Sequence, residues 1–267
     1  MSKIITPDVE LYCQDAIAAL RELPDGSVDA AVFDPPYPTI SGGSNADKSG
    51  KHQRPSGILT KNDGKIFAHN DIAPGTYLPE VFRVLRDDAH VYLMTNVYNV
   101  TEKNILKAIS DAGFRIHNLL FWRKNNATPN RWYMKDTELT IFARKGRAFS
   151  INNPGDRSTM EAFPHPLDWD NVKSPKSHPT EKPVNLMKTY IENSTQPGET
   201  VLDLFMGTGA TGVAAMESGR RFVGVELDPG YFDCAARRMG LEPPGHHDDL
   251  GDLLGPPPDT EIDALLA

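Results

Sequence analysis

The chain has 267 residues, 39% hydrophobic and 24% charged, with two cysteines and a formal charge of −8. That length allows one large domain, or two small ones, with a sizeable core. It holds no run of about 18 apolar residues that could span a bilayer, and Met1-Ser2-Lys3-Ile4-Ile5-Thr6-Pro7 lacks the apolar stretch of a signal peptide.

In chain order, short apolar runs predict strands near 9–13, 28–33, 89–95, 115–123, 138–144, 200–205 and 221–226. Helical patterns fall near 15–22, 76–86, 101–112, 183–193, 209–219 and 229–239, with Thr101, the nearby Asn104 and Pro183 as helix starts. The alternation describes an α/β sheet with helices on both faces. Cys13 and Cys234 fall in separate predicted buried elements and read as core residues rather than a disulfide. A cytoplasmic protein is the expectation. No Cys/His cluster has metal-ligand spacing, and His246-His247 reads as a solvated pair, so no metal is expected.

Two stretches break the alternation. Residues 38–75, rich in Gly, Ser, Asn, Asp and Lys, read as a partner-contacting or pocket-closing loop. Residues 146–177 form a second, shorter insert, and residues 240–267 read as an acidic, Pro-rich disordered tail on a domain spanning 1–239. The tail holds seven acids and no Lys or Arg, so the body is near −1. Within that body, 115–147 has eight basic residues against Asp136 and Glu138. Local basic surface of this kind suits phosphate contacts, whatever the overall charge.

The chemistry concentrates in two turns. The strand ending at Phe33 runs into Asp34-Pro35-Pro36-Tyr37. The Asp34 carboxylate and the Pro35 carbonyl can each accept a hydrogen bond from an exocyclic amine. Pro35 and Pro36 fix φ and carry no donor, and Tyr37 can stack on a planar ring. The second turn, Asp203-Leu204-Phe205-Met206-Gly207-Thr208-Gly209, opens a helix, and the following strand ends in Glu226. Glycines there permit close backbone approach, and Glu226 can hold both hydroxyls of a ribose. Gly207, Gly209 and Gly212 also satisfy the dinucleotide pattern G-x-G-x-x-G, so a NAD enzyme is an alternative reading. Asp203 and Phe205 ahead of the glycines argue against a pyrophosphate.

Together these residues resemble the S-adenosylmethionine-dependent amino-methyltransferases that act on DNA. The catalytic tetrapeptide comes first and the glycine turn near the C-terminus, which resembles the permuted beta group; His178-Pro179-Thr180-Glu181-Lys182-Pro183 is similar to that group's cofactor-side motif. The resemblance covers roughly 9–239. It implies a Rossmann-like class I fold, with a seven-stranded, mostly parallel sheet containing one antiparallel strand. It places Asp15 and Ala16 near the adenine of the cofactor, and His178, Thr180 and Lys182 near its methionine end. Asp203 would meet the methionine amino group, Glu226 the ribose, and Phe205, Gly207 and Gly209 would line the turn.

The insert 146–177 stands where the group keeps its target-recognition region but is short for that role. Arg123, Lys124, Asn125, Asn126, Asn130 and Arg131 are candidates for base edges or phosphates. Trp132 and Tyr133 are candidates either for base stacking or for core packing. The expected reaction is methyl transfer to adenine N6 of a flipped base in double-stranded DNA. N4-cytosine methylation uses the same pocket logic and is the alternative; the acid at the first pocket position favours adenine. Cytosine C5 chemistry needs a loop cysteine, which neither Cys13 nor Cys234 provides. RNA or protein methyltransferases with a similar tetrapeptide usually place the cofactor turn first. A non-catalytic DNA-binding relic would not need these pocket residues intact. A homodimer and an accompanying restriction nuclease are compatible with this reading, and neither is written in the chain.

Overall fold

The computed structural model describes residues 2–36, 39–41, 59–61, 72–128, 133–164 and 181–242. From the N-terminus come β1 (Ser2–Ile5), β2 (Val9–Cys13), α1 (Ala16–Glu22) and β3 (Val28–Phe33). The short strands β4 (Thr39–Ser41) and β5 (Leu59–Lys61) pair antiparallel to each other. Next are α2 (Pro74–Val84), β6 (Leu85–Thr95), α3 (Val97–Thr101), α4 (Ile105–Asp111), β7 (Arg115–Thr128), β8 (Lys135–Arg144) and β9 (Met160–Ala162). The chain then forms α5 (Val184–Ser194), β10 (Thr200–Asp203), α6 (Ala210–Glu217), β11 (Arg221–Glu226) and α7 (Pro229–Arg238).

Nine strands make one sheet in the order β1-β2-β11-β10-β3-β6-β8-β7-β9. The seven predicted strands are its centre, from β2 to β7. Within them β2, β11, β10, β3 and β6 run parallel, and β8 is antiparallel to both neighbours. The sequence pattern did not announce β1 and β9, which add one short strand at each edge. The seven-stranded expectation therefore holds for the core of a wider sheet.

Strand alternation explains the two-sided packing. In β3, Ala31 and Phe33 face one layer and Val32 the other; β6 repeats this with Val91 and Leu93 against Tyr92 and Met94. The first layer is closed by Leu20 of α1, Leu78 and Val81 of α2, and Ile105 and Ile109 of α4. The second is closed by Leu186 and Ile191 of α5, Ala214 of α6 and Phe232 of α7. Buried faces on both sides are what a parallel sheet requires.

Some local expectations shift. The predicted helix 101–112 is broken: Thr101 ends α3, and Asn104, at φ 49°, begins α4 without a side-chain cap. Helix α2 starts two residues early because Pro74 suits the first turn. Cys234 is exposed on α7 rather than buried, Cys13 is half-buried, and both are free thiols. The insert is structural at least as far as 164. Its β9 pairs with β7, Trp122 Nε1 donates to the Phe163 carbonyl at 2.8 Å, and Asn152 Nδ2 donates to the Glu192 and Thr195 carbonyls. The 38–75 loop (apart from β4, β5 and the residues from 72 on), the second half of the insert and the tail beyond 242 lie outside the described residues.

Candidate active site

The chain leaves β10 through α6 to β11 on one side, and leaves β3 through α2 to β6 on the other. The crevice between β10 and β3 is therefore the topological switch point, where ligands of open α/β sheets bind. Three neighbouring strand ends carry acids there: Glu226 on β11, Asp203 on β10 and Asp34 just beyond β3. At about 4.8 Å per strand, the row from Glu226 to Asp34 spans roughly 10 Å.

Asp203 is 4% exposed, and its Oδ1 accepts the Phe205 N–H at 3.0 Å. Burial pushes its carboxyl up to about 7, against the hydrogen bonds from Thr211 and Phe205, and the charges of Asp34 and Glu226 add to the rise. Glu226 uses one oxygen for the Gly207 N–H and the other for the Asp228 N–H, both at 2.9 Å. Burial raises its carboxyl as well, opposed by those bonds. Each carboxylate oxygen retains acceptor capacity. Asp15 caps α1, taking the Ile17 and Ala18 N–H groups at 3.0 Å, and Ala16 behind it is buried. Gln14 N–H donates to the Glu226 carbonyl at 3.0 Å, so the turn carrying Asp15 and Ala16 abuts the end of β11.

The glycine turn serves packing as well as access. Gly209 has φ +83°, and a Cβ there would lie 3.0 Å from Ala235 Cβ. A Cβ on Gly212 would run into the Met239 sulfur and come 2.8 Å from the Phe222 ring. Gly207, also at positive φ, presents the N–H that Glu226 takes. Phe205 packs edge-on to Tyr77 at 5.5 Å and tilted against Phe33 at 6.0 Å, which ties the turn to the base of the Asp34 strand.

Asp34 sits in a line of alternating charges. Lys182 Nζ lies 2.5 Å from Asp34 Oδ2 and 3.5 Å from Glu138 Oε2; Lys124 Nζ lies 3.2 Å from Glu138 Oε1. The lysine side chains are 8% and 10% exposed, the carboxylates 20% (Asp34) and 33% (Glu138). Burial pushes the Asp34 carboxyl up, and Lys182 opposes the rise. Burial works the same way on Glu138, but Lys182 and Lys124 together hold it below the ordinary range. The antiparallel run of β8 makes this possible: Glu138 near its start lies opposite Trp122 of β7, level with the carboxyl ends of the parallel strands.

The structure thus gathers Asp34, Pro35, Pro36, Asp15, Ala16, Lys182, Asp203, Phe205, Gly207, Gly209 and Glu226 around the carboxyl ends of the central parallel strands. Tyr37, His178 and Thr180 lie outside the described residues. Glu181 pairs with Arg238 at 2.7 Å, and Arg238 also reaches the Thr208 carbonyl, so the 181–182 segment is tied to the glycine turn. Lys182, expected near the methionine end of the cofactor, has its ammonium on Asp34, and Lys124 is turned inward onto Glu138 rather than outward to solvent. Arg123 and Tyr133 are exposed; Asn126, Asn130, Arg131 and Trp132 are not among the residues whose side chains are described. Sequence reasoning missed Glu138, counted only as an acid within a basic stretch, and Tyr77, whose fully buried hydroxyl has no hydrogen-bond partner among the described residues.

Fold and site together define a permuted class I methyltransferase. The family model described as DNA methylase, of the N6/N4 methyltransferases, matches residues 28–237, and the chain belongs to that S-adenosylmethionine-dependent family. Among curated proteins it is similar to the type II methyltransferase M2.MboI of Moraxella bovis, 26% identical over 242 residues, covering 85% of this chain and 86% of that protein. Among solved structures it resembles the M1.HpyAVI–S-adenosylmethionine complex, with TM-score 0.61 and 21% identity, covering 87% of this chain and all of that one. It also resembles the PvuII methyltransferase, which is cytosine-N4-specific, with TM-score 0.65 and 16% identity over 93% of this chain and 90% of that one. No helix among the described residues is long and apolar enough to cross a membrane.

Proposed function

We propose that this DNA methyltransferase transfers a methyl group from S-adenosylmethionine to the N6 amino group of an adenine flipped out of duplex DNA. The observation that carries the reading is the row of acids Glu226, Asp203 and Asp34 across three adjacent strand ends. Its donor and acceptor chemistry fits the cofactor: Glu226 can take a ribose diol and Asp203 a primary ammonium, leaving Asp34 for the target. A length of roughly 10 Å suits a molecule laid from ribose to sulfonium across those ends.

The target nitrogen is a poor nucleophile because its lone pair is delocalised into the ring. Asp34 and the Pro35 carbonyl accept its two N–H bonds, favour pyramidal geometry and free the lone pair. The same acceptors stabilise the positive charge that develops on nitrogen. When bound, S-adenosylmethionine supplies an electrophilic methyl: the nitrogen lone pair forms the new N–C bond, the C–S pair stays on sulfur, and the proton lost from the nitrogen passes to the Asp34 carboxylate that accepts its N–H and from there to solvent. Flipping costs a few kcal/mol, and Tyr37 stacking offsets part of it.

An acid rather than Ser at the head of the tetrapeptide favours adenine; the fold alone does not choose, since one neighbour is cytosine-N4-specific. A companion restriction nuclease extends the proposal to partners, in keeping with the type II name of the relative. The test is Asp34→Asn, which keeps size and removes charge. It is expected to lower single-turnover methyl transfer by about 10²–10³-fold while leaving the Kd for S-adenosylmethionine within about twofold. Parental turnover would remove Asp34 from the reaction.

A further inference from the structure

Lys182 stands within reach of two carboxylates at once, 2.5 Å from Asp34 and 3.5 Å from Glu138. We infer that Lys182 is a two-position positioning residue: it rests on Asp34 in the empty pocket and is drawn onto Glu138 when the target amine takes the Asp34 carboxylate, with Lys124 setting how strongly Glu138 pulls. This rests on the methyl-transfer reading above and concerns the same pocket.

Three physical arguments support it. First, a largely buried carboxylate without a counter-charge takes up a proton, and a protonated Asp34 would donate where the reaction needs an acceptor. Lys182, 2.5 Å away, supplies that counter-charge and opposes proton uptake while the pocket is empty. Second, an ammonium that stayed at 2.5 Å would work against the reaction. It occupies Asp34 Oδ2, and its charge opposes the positive charge appearing on the target nitrogen. Third, a second acceptor is already in place. A shift of about 1 Å brings Nζ onto Glu138 Oε2 at hydrogen-bond distance. Glu138 keeps Lys124 on its other oxygen, at 3.2 Å, so the line of two lysines and two acids stays neutral in either position.

Among the described residues, the charged or titratable groups coupled to Asp34 are Lys182, Glu138, Asp203 from β10 and Tyr77 from α2. Of these, Lys182 and Glu138 push its protonation in opposite directions. The signs are therefore distinctive. Glu138→Gln removes the alternative seat and locks Lys182 on Asp34. Lys124→Met leaves the full Glu138 charge to pull Lys182 away.

The experiment is the pH dependence of single-turnover methyl transfer from S-adenosylmethionine to unmethylated genomic DNA for the parent and both variants. Cofactor affinity and thermal melting are measured alongside. Glu138→Gln is expected to slow transfer by about tenfold or more at neutral pH and move the acid limb down by roughly 0.5–1 unit. Lys124→Met is expected to move the acid limb up by a similar amount. In a Lys182→Met background, adding Glu138→Gln should change the rate less than twofold, because the group it acts through is gone.

Limbs that stay put or move together, or Glu138→Gln that is equally harmful with and without Lys182, would mean that Glu138 and Lys124 only brace the fold. If Glu138→Gln proves unstable, the Lys124→Met shift and the Lys182→Met background decide the matter. A parent enzyme that labels no amino nitrogen in DNA would sink the underlying reading; an active parent with unmoved limbs would sink the switch alone.

Discussion

Asp203 should cost this protein stability in return for cofactor affinity. Its carboxyl is raised from 3.8 to about 7 in the fold, chiefly by burial. An acid so raised binds more protons folded than unfolded between those values. Stability therefore falls as pH rises from about 4 to about 7, and is flat above. At 1.36 kcal/mol per unit, burying this carboxyl costs about 4 kcal/mol at pH 8, where it is ionised, and roughly a third as much at pH 5, where the fold keeps it protonated.

Asp203→Asn keeps the shape and the acceptor for the Phe205 N–H while removing the charge. For the cofactor-free protein it is expected to raise Tm, by about 8–12 °C at pH 8 if the whole cost is recovered and by a third of that at pH 5. The same substitution should weaken S-adenosylmethionine binding by about tenfold or more, since the ammonium loses a charged acceptor. Calorimetric melts at both pH values, with and without S-adenosylmethionine, read both effects. An Asn variant that melts lower at pH 8, or that keeps parental affinity, would refute the assignment of Asp203 to the cofactor and the origin of its strain.

Three other predictions follow the same packing logic. Tyr77→Phe deletes a fully buried hydroxyl that has no partner among the described residues, so the cofactor-free protein should be unchanged or up to about 1 kcal/mol more stable in urea denaturation. Gly212→Ala places a Cβ against the Met239 sulfur and the Phe222 ring, and should cost about 1–3 kcal/mol in the same assay while leaving the Asp34 pocket untouched. Asp29→Ala removes the acceptor for the Thr200 N–H at 2.7 Å and for Arg86 at 2.8 Å, and should cost about 2–3 kcal/mol, measured as a lower midpoint with unchanged slope.

The parallel core and the acid row were legible because each is written locally. β3, β10 and β11 are mostly apolar runs, and each ends at or just before the residue that matters: Asp34 follows β3, Asp203 closes β10 and Glu226 closes β11. Edge strands β1 and β9 were not legible, because three or four residues carry too little alternation to stand out from a loop. The break between α3 and α4 was hidden because Asn104 adopts a left-handed conformation that apolar spacing does not encode.

Glu138 and Lys124 were misread for a different reason. Their partners are distant in sequence, Lys182 above all, and only the antiparallel register of β8 against β6 and β7 turns them towards Asp34. Charge counting along a segment treats such residues as surface. The half-buried line of charge exists only in the folded sheet.

The most direct test of the central claim is the identity of the methylated atom. The protein is incubated with tritiated S-adenosylmethionine and unmethylated genomic DNA, and the digested nucleosides are resolved by mass spectrometry. Label in N6-methyldeoxyadenosine is the predicted result. Label in N4-methyldeoxycytidine would keep the pocket chemistry and contradict the choice of base, and DNA without label would contradict the proposed reaction.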